Sequence, residues 1–214
     1  MENRTQVIRA HGNSSVSIKA IPGHFATNHS HVNYYVDMTD IKTAHQMARE
    51  AASELSKRFE SVAVDTIICM EGTEMLGAFL AEDLAQEGTV GVNAGTSIRV
   101  VTPELNANNQ MLFRDNMQGM IWEKRVLLLV ASVSTGKTIN RLMECLQYYN
   151  GDLVGVAAIF SAISEYGSVP VMSIFNQDDV TGYETSLSTE CQLCRDKIKI
   201  DAIVNSYGYS KING

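Results

Sequence analysis

The segment Arg125–Thr138 constrains the fold more than any other part of the chain. It begins with Val126–Val130, a run of apolar residues that is typical of a strand covered on both faces of a sheet. The run leads into Ser134–Thr138, which supplies hydroxyls, a conformationally permissive glycine and a cation. The amphipathic segment Ile139–Tyr149 follows, so the turn stands at a helix N-terminus, where N–H groups and the helix dipole favour an anion. The segment therefore predicts a buried central strand, with Leu128 inaccessible to solvent, followed by a phosphate-binding turn.

The rest of the chain alternates short apolar runs with amphipathic segments. Further strands are predicted at Thr66–Met70, Thr89–Val92, Ser97–Val101, Leu153–Phe160 and Val169–Phe175. One helix is predicted at Asp40–Phe59, with Thr39 or Asp40 as its N-cap, and a second begins after an N-cap at Thr73. A third helix is predicted at Thr138–Tyr149, and the polar segment Pro103–Met120 predicts a long loop. This alternation indicates an α/β fold with a mainly parallel sheet, in which ligands bind beyond the carboxyl ends of the strands. Both candidate site loops, Glu71–Glu74 and Ser132–Thr138, lie at such ends.

Composition excludes several classes of function. The 214 residues are 45% hydrophobic, which is enough for the core of one domain. The net charge of -7 argues against a nucleic-acid partner, which needs a basic surface. Because no apolar run reaches the length of a membrane span and the first residues contain no apolar signal segment, we expect a cytoplasmic protein with no membrane partner.

The cysteines do not predict a metal site. Four cysteines in a chain of this length do not form a secreted disulfide framework, and Cys69 and Cys145 read as core thiols. Cys191 and Cys194 form a single CxxC, which is half of a zinc site or a redox pair. Because no second CxxC or histidine pair stands nearby at ligand spacing, we expect a reduced, structural pair and no metal. His24, His29 and His45 receive no role.

One interpretation of the phosphate turn is a P-loop. Ala131–Thr138 differs from G-x-x-x-x-G-K-T only at Ala131, and in a P-loop NTPase Lys137 would reach the β- and γ-phosphates and Thr138 a Mg²⁺ ion. Against this, the chain after Thr138 leaves little room for a complete NTPase core. Asp201 is a weak candidate for the metal-holding aspartate.

The same segment resembles the phosphoribosyl-pyrophosphate motif of type I phosphoribosyltransferases, in which an apolar strand, two acidic residues and two further residues precede T-T-G-G-T. Ser134–Thr138 match the phosphate-binding half of that motif. Three other stretches are similar to the orotate phosphoribosyltransferase branch of the family. They are Pro22–Phe25 followed by His31–Asp37, then Asp65–Glu74, and Glu190–Cys194 followed by Ile198–Ile200.

The resemblance implies a fold and a set of site residues. The fold is a parallel sheet flanked by helices, in a single domain over residues 1–214 with a core of about 38–175 and a small hood from 1–37 and 176–214. The implied partners are a small phosphate or nucleotide ligand and a second copy in a homodimer, with Mg²⁺ as cofactor if the protein is an enzyme. The implied sites are a phosphate cradle of Ser134, Thr135, Gly136, Lys137 and Thr138, a pyrophosphate loop of Glu71, Gly72, Thr73 and Glu74, and a base pocket of His31, Tyr34 and Tyr35.

Several of these residues have two interpretations. Lys137 stands where the family has a small residue, and it either adds a charge-assisted contact to phosphate or is a solvated surface lysine. Glu71 is either a plain loop carboxylate or a support of the pyrophosphate-loop backbone. Tyr34 and Tyr35 either line the base pocket or belong to the core.

The chain also departs from the family pattern. Val130 and Ala131 occupy the places of the acidic pair that holds the ribose hydroxyls, so we expect no carboxylate within hydrogen-bond reach of that place. Thr102–Asn108 replaces the family's cationic R-K-x-K-x-H cluster, and Arg114 is the one cation left in Pro103–Met120. No catalytic residue is assigned. Two functions stay open: phosphoribosyl transfer to a pyrimidine base, as in pyrimidine nucleotide synthesis, and a catalytically impaired protein of the same fold that binds a nucleotide or phosphate compound.

Overall fold

The structure, a computed structural model, describes residues 2–28, 30–88, 90–108 and 110–212. In chain order the strands are β1 (Gln6–Arg9), β2 (Ser17–Ala26), β3 (His31–Asp37), β4 (Thr66–Cys69), β5 (Arg99–Val101), β6 (Glu104–Leu105), β7 (Met111–Leu112), β8 (Arg125–Val133), β9 (Asp152–Ser161), β10 (Glu165–Tyr166), β11 (Val169–Asn176), β12 (Thr185–Ser186), β13 (Ala202–Asn205) and β14 (Gly208–Lys211). The α-helices are α1 (Thr39–Thr43), α2 (His45–Ser56), α3 (Glu74–Ala85), α4 (Asp115–Gln118), α5 (Lys137–Tyr149) and α6 (Gln192–Arg195). Within this described part, no helix combines the length and the apolar character that spanning a bilayer requires.

The main sheet places β8 in its interior. Its strand order is β10-β11-β9-β8-β4-β5, and all neighbours are parallel except β10, which runs antiparallel to β11. The run Val126–Val130 is inaccessible to solvent, and Leu128 is 0% exposed. The prediction of a central strand covered on both faces is therefore confirmed.

Helices cover both faces of this sheet. Leu127 and Leu129 of β8 pack in one apolar cluster with residues of α2 and α3, such as Leu55 and Leu76. The alternate residues Val126, Leu128 and Val130 pack in a second cluster with Ile139, Leu142 and Leu146 of α5. Because successive side chains of a strand point to opposite faces, an unbroken apolar run is what this three-layer arrangement requires.

The predicted helix Asp40–Phe59 is two helices. The chain breaks at Ala44, which has an extended conformation with φ -98° and ψ 112°. The N-cap of α1 is Met38, so the prediction of Thr39 or Asp40 is wrong; instead the N–H of Thr39 donates to Oδ1 of Asp37 at 2.9 Å. The carboxylate of Asp37 thus accepts from the first N–H of the helix, which is the role expected of an N-cap side chain.

Thr73 occupies the N-cap position of α3 as predicted, but its hydroxyl does not cap the helix. Its Oγ1 donates to the carbonyl oxygen of Met70 at 2.8 Å and lies 3.2 Å from that of Leu129. Thr73 is completely buried, so its hydroxyl bonds to the carbonyls of the neighbouring strand ends. The threonine thus fastens the loop after β4 to the sheet.

The region between α3 and β8 differs from its prediction. The strand expected at Thr89–Val92 is absent over residues 90–92, where Val90 is fully exposed, and Thr89 lies outside the described residues. The expected loop Pro103–Met120 contains the hairpin β6–β7 and the short helix α4. These are brief elements with few apolar residues, which leave only a weak periodicity in the sequence.

A second sheet forms the hood. Its order is β12-β3-β2-β13-β14, with β1 paired to β2, so it joins strands from both ends of the chain. Oδ2 of Asp201 accepts from the N–H of His24 at 2.9 Å, and Oδ1 accepts from Arg4 at 3.1 Å. The hood of N- and C-terminal segments is therefore present as predicted, and Asp201 belongs to its internal bonding.

Candidate functional site

A cavity of about 290 Å³ separates the hood from the carboxyl ends of the main-sheet strands. On the sheet side it is lined by Glu71 and by residues 132–139, which include all five residues of the predicted phosphate cradle. On the hood side it is lined by Ser30, Val32, Tyr34, Tyr35, Asn205 and Ser206. The structure thus brings the turn after β8, the loop after β4 and the hood together at one place.

The turn after β8 depends on Gly136. This residue is the N-cap of α5 and has a φ of 74°, in the left-handed region that glycine adopts without strain. The ring of Tyr166 lies against it, so a β-carbon on Gly136 would come within 2.2 Å of Cδ2 of that ring. No side chain caps α5, and its first N–H groups therefore stay available to an anion.

The polar side chains of the cradle are accessible from the cavity. Thr135 and Lys137 are exposed, while Ser134 and Thr138 are partly buried. Hydroxyls and an ammonium group at a helix N-terminus are donors suited to a phosphate. That the N–H groups of Ser134–Thr138 converge on one anion stays a prediction.

Glu71 brings a carboxylate to the end of β8. The residue follows β4 with a φ of 64°, and the backbone N–H groups of Ala131 and Ser132 face its carboxylate. Burial raises the pKa of Glu71, although these N–H groups and the charge of Lys42 oppose the shift. Its Oε2 is buried and has no hydrogen-bond partner in the described part of the chain. This oxygen is available to a donor from a ligand.

The expectation that no carboxylate lies near the place of the acidic pair is therefore wrong. Val130 and Ala131 are completely buried and supply none, as the sequence indicated. However, β4 is the parallel neighbour of β8, and Cys69 of β4 pairs with Leu129. Since adjacent parallel strands end at the same edge, the loop after β4 delivers Glu71 to the position beyond Ala131.

Lys42 contacts two residues that line the cavity, Glu71 and Ser206, and no role was predicted for it from the sequence. Its ammonium group donates to the carbonyl oxygen of Ser206 and lies 3.4 Å from that of Glu71, so it links α1, the hood and the loop after β4. Burial lowers the pKa of Lys42, and the charges of Glu71, Asp37 and Glu74 oppose this shift. In sequence Lys42 is one more polar residue of an amphipathic helix, which gives no signal of this position.

The remaining residues of the predicted pyrophosphate loop have different surroundings. Gly72 has a φ of 78°, and with Glu71 it forms a tight left-handed turn. Thr73 is buried against the sheet, and Glu74 is exposed and accepts from Oγ1 of Thr102 at 3.4 Å. Within this loop Glu71 is the residue that lines the cavity.

The structure places two of the three predicted base-pocket residues at the cavity and the third elsewhere in the hood. Tyr34 and Tyr35 line the cavity, and Tyr35 also packs in the core against Phe25 and Tyr209. That Tyr34 and Tyr35 contact a base stays a prediction. Burial, with smaller contributions from Asp37 and Tyr209, raises the pKa of Tyr35 to about 12 and keeps its hydroxyl protonated. His31 lies elsewhere in the hood, where its Nδ1 is 3.3 Å from Sγ of Cys194.

Comparison with known proteins agrees with this geometry. No family model matches the chain. An orotate phosphoribosyltransferase of Desulforamulus reducens is 26% identical over 140 residues, which are 65% of this chain and 66% of that protein, just under two thirds of its length.

Solved structures decide the fold. The adenine phosphoribosyltransferase of Trypanosoma brucei, in complex with AMP, pyrophosphate and ribose-5-phosphate, superposes with a TM-score of 0.53 at 16% identity, covering 77% of this chain and 78% of that one. The orotate phosphoribosyltransferase of Aeropyrum pernix superposes with a TM-score of 0.52 at 16% identity, covering 75% and 89% of the two chains. The chain has the type I phosphoribosyltransferase fold. The P-loop NTPase interpretation gains no support, because the turn after β8 belongs to a phosphoribosyltransferase-like sheet and Asp201 lies in the hood.

Proposed function

We propose that this protein binds a 5-phosphorylated ribose compound and transfers the phosphoribosyl group from phosphoribosyl pyrophosphate to a pyrimidine base. The observation that carries the proposal is the shared cavity of the α5 turn and the Glu71 carboxylate. A ribose 5-phosphate presents an anion at one end and hydroxyl donors on its ring, which match these two groups.

The 5′-phosphate is assigned to the turn Ser134–Thr138. The α5 N-terminus favours an anion through its free N–H groups and its dipole. Hydroxyls of Ser134, Thr135 and Thr138 supply further donors, and Lys137 supplies a charge. In this role Lys137 strengthens phosphate binding through a charge-assisted hydrogen bond.

The ribose hydroxyls are assigned to Glu71. The N–H groups of Ala131 and Ser132 hold its carboxylate in place, and Oε2 remains without a protein donor among the described residues. A hydrogen bond from a ligand hydroxyl to this buried oxygen contributes about 1–3 kcal/mol. In this proposal Glu71 replaces the acidic pair that Val130 and Ala131 no longer provide.

The base is assigned to the hood side of the cavity, beside Tyr34 and Tyr35. Aromatic side chains stack on a planar base. Oδ1 of Asn205 accepts from the N–H of Tyr207 at 2.9 Å, and its amide NH₂ group offers donors to the base. The choice of a pyrimidine rests on the similarity to the orotate phosphoribosyltransferase of Desulforamulus reducens.

The donor set also fits a Mg²⁺ ion held jointly with a ligand. Mg²⁺ is bound in proteins by one or two carboxylates together with substrate phosphates, and the orphaned oxygen of Glu71 supplies one such ligand. Bound there, the ion would neutralise negative charge on a departing pyrophosphate.

A second candidate function is nucleotide binding without transfer. In the loop after β5, Arg114 is held by Glu104 through two hydrogen bonds, at 2.9 and 2.6 Å. A departing pyrophosphate needs preorganised positive charge, and the cation of this loop is neutralised by its partner. This observation favours a protein that binds a nucleoside monophosphate as a sensor.

The two functions are separated by one assay. The protein is incubated with phosphoribosyl pyrophosphate, Mg²⁺ and, in separate reactions, orotate, uracil or adenine, and nucleotide products are quantified by mass spectrometry. We expect wild type to form a nucleoside monophosphate from a pyrimidine base and the Glu71→Ala variant to form none. No product from any base, together with tight binding of uridine monophosphate, would establish the second function instead.

A further inference from the structure

Four metal-ligating side chains meet in the hood, away from the cavity. They are His24, His31, Cys191 and Cys194, and one ligand atom from each lies within 4.8 Å of all the others. His24 lies on β2, His31 begins β3, and the two cysteines belong to the start of α6. His24 and Cys191 are buried, at 1% and 3% exposure, while His31 is partly buried and Cys194 is exposed.

Four of the six distances between the ligand atoms are close to those of a tetrahedral ligand set, and all six are within 4.8 Å. Nε2 of His24 lies 3.0 Å from Nδ1 of His31, and Sγ of Cys194 lies 3.3 Å from the same Nδ1. Both sulfurs, of Cys191 and Cys194, lie 3.6 Å from Nε2 of His24. Around Zn²⁺, bond lengths of about 2.0–2.1 Å to nitrogen and about 2.3 Å to sulfur separate two nitrogens by about 3.3 Å and a nitrogen from a sulfur by about 3.6 Å.

A neighbouring carbonyl orients one of the ligands. Nδ1 of His24 lies 2.7 Å from the carbonyl oxygen of Ile198, which requires that this nitrogen donates its proton. Nε2 is therefore the nitrogen of His24 that faces Nδ1 of His31 and both sulfurs and that would bind a metal ion. Such a hydrogen bond from the second ring nitrogen to a carbonyl is the usual support of a metal-bound histidine.

We propose that His24, His31, Cys191 and Cys194 bind a structural Zn²⁺ ion. Two thiolates and two imidazoles in a tetrahedral arrangement are a ligand set typical of structural zinc. Four protein ligands fill the coordination sphere and leave no open position, so the ion has a structural role. The inference does not depend on the proposed function, because the cluster and the cavity are separate.

The ion would fasten the C-terminal tail to the hood. The helix α6 has four residues, too few to be stable without tertiary contacts, and it lies between β12 and β13 in the chain. Zinc would connect this segment to the β2–β3 hairpin, which is separated from it by more than 150 residues of sequence. That separation is why the CxxC alone predicts only a structural thiol pair.

The first test is the metal content of the full chain. The protein is purified under reducing conditions without an affinity tag and passed over a weak chelating resin, and zinc is measured by mass spectrometry. We expect about one zinc ion per chain. Matched variants outside the cluster, Cys145→Ala and His11→Gln, keep this content, whereas Cys191→Ser and Cys194→Ser lower affinity for zinc by at least about tenfold.

The second test does not require any variant to fold. Wild-type protein produced in medium containing Co²⁺ instead of zinc is expected to show the intense visible bands of tetrahedral cobalt and a near-ultraviolet thiolate-to-cobalt transition. Metal-free wild-type protein that is folded by circular dichroism and takes up neither ion would overturn the inference. So would a cobalt spectrum without the thiolate transition, or zinc content that Cys194→Ser leaves unchanged.

Discussion

The ring of Tyr166 lies so close to Gly136 that a β-carbon on the glycine would approach Cδ2 of the ring to 2.2 Å. Gly136 is also held at a φ of 74°, and it begins the helix that is assigned to the phosphate. Two features therefore require a glycine at this position: the left-handed backbone conformation and the contact with the ring of Tyr166. The shape of the cradle depends on both.

We predict that Gly136→Ala destabilises the protein more than Gly167→Ala does. Gly167 has a φ of 62° with open space around it, so its alanine variant carries only the left-handed strain of about 1–2 kcal/mol. Gly136→Ala adds the clash with Tyr166, an overpacking cost of about 1–3 kcal/mol. Urea denaturation of both variants measures the difference. Equal losses of unfolding free energy would show that Tyr166 does not constrain the turn.

Glu71 is predicted to reduce stability at neutral pH. Burial raises its pKa in the folded protein above the ordinary value of 4.5, so its favourable contribution is present below pH 4.5 and is lost as pH rises through the folded value. Glu71→Gln carries no charge at any pH. We therefore expect the variant to gain stability relative to wild type between pH 5 and pH 8, measured by urea denaturation across that range.

The exposed neighbour Glu74 provides the control for this effect. Glu74→Gln alters the same loop without removing a buried carboxylate, and its stability should follow that of wild type from pH 5 to pH 8. If Glu71→Gln loses stability relative to wild type as pH rises from 5 to 8 while Glu74→Gln does not, burial does not destabilise the charged form of Glu71.

The ion pair of Asp65 and Arg125 is predicted to stabilise the amino ends of β4 and β8. Arg125 donates to Asp65 through Nε at 2.9 Å, Nη2 at 2.7 Å and its backbone N–H at 2.9 Å, and these bonds lower the pKa of Asp65 to about 2. Because the pair is partly exposed, we expect Asp65→Asn to cost about 1 kcal/mol at neutral pH. This cost should vanish as pH falls from about 4 toward 2.

The matched control is Asp40→Asn. Asp40 accepts one bond from Lys19 at 2.7 Å, and both side chains are exposed, so its loss should cost about 0.5 kcal/mol or less. A larger effect for Asp40→Asn than for Asp65→Asn, measured by thermal unfolding in the same buffer, would contradict this ranking.

The predicted homodimer remains to be measured. Light scattering of the full chain is expected to give about twice the monomer mass of 23.5 kDa, at micromolar concentration and at moderate salt. A mass of 23.5 kDa throughout the accessible concentration range would reject the dimer.

The sequence predicted those parts of the fold that local patterns determine. Val126–Val130 reads as a buried strand because an apolar run of that length requires cover on both faces, and Ser134–Thr138 reads as an anion site because the helix begins there. The break at Ala44 was not predicted, because in the sequence Ala44 continues the apolar face from Ile41 to Ala48, whereas in the structure it is exposed and extended.

Contacts between distant segments account for what the sequence did not predict. Glu71 reaches the end of β8 because β4 and β8 are neighbours, which no local pattern specifies. In the same way the hood places His24 and His31 beside Cys191 and Cys194. In both cases each residue has an ordinary local context, and only the strand order gives it chemical partners.

The most direct test of the proposed site compares two ligands in isothermal titration calorimetry, ribose 5-phosphate and inorganic phosphate, on wild type, Glu71→Gln and Glu74→Gln. We predict that wild type and Glu74→Gln bind ribose 5-phosphate more tightly than phosphate, by roughly 5–150-fold, since one hydroxyl bond to the buried carboxylate contributes about 1–3 kcal/mol. Glu71→Gln should lose most of this preference while keeping its affinity for phosphate. Equal preference in wild type and Glu71→Gln would contradict the assignment of the ribose to Glu71, and no binding of either ligand to wild type would contradict the phosphate cradle itself.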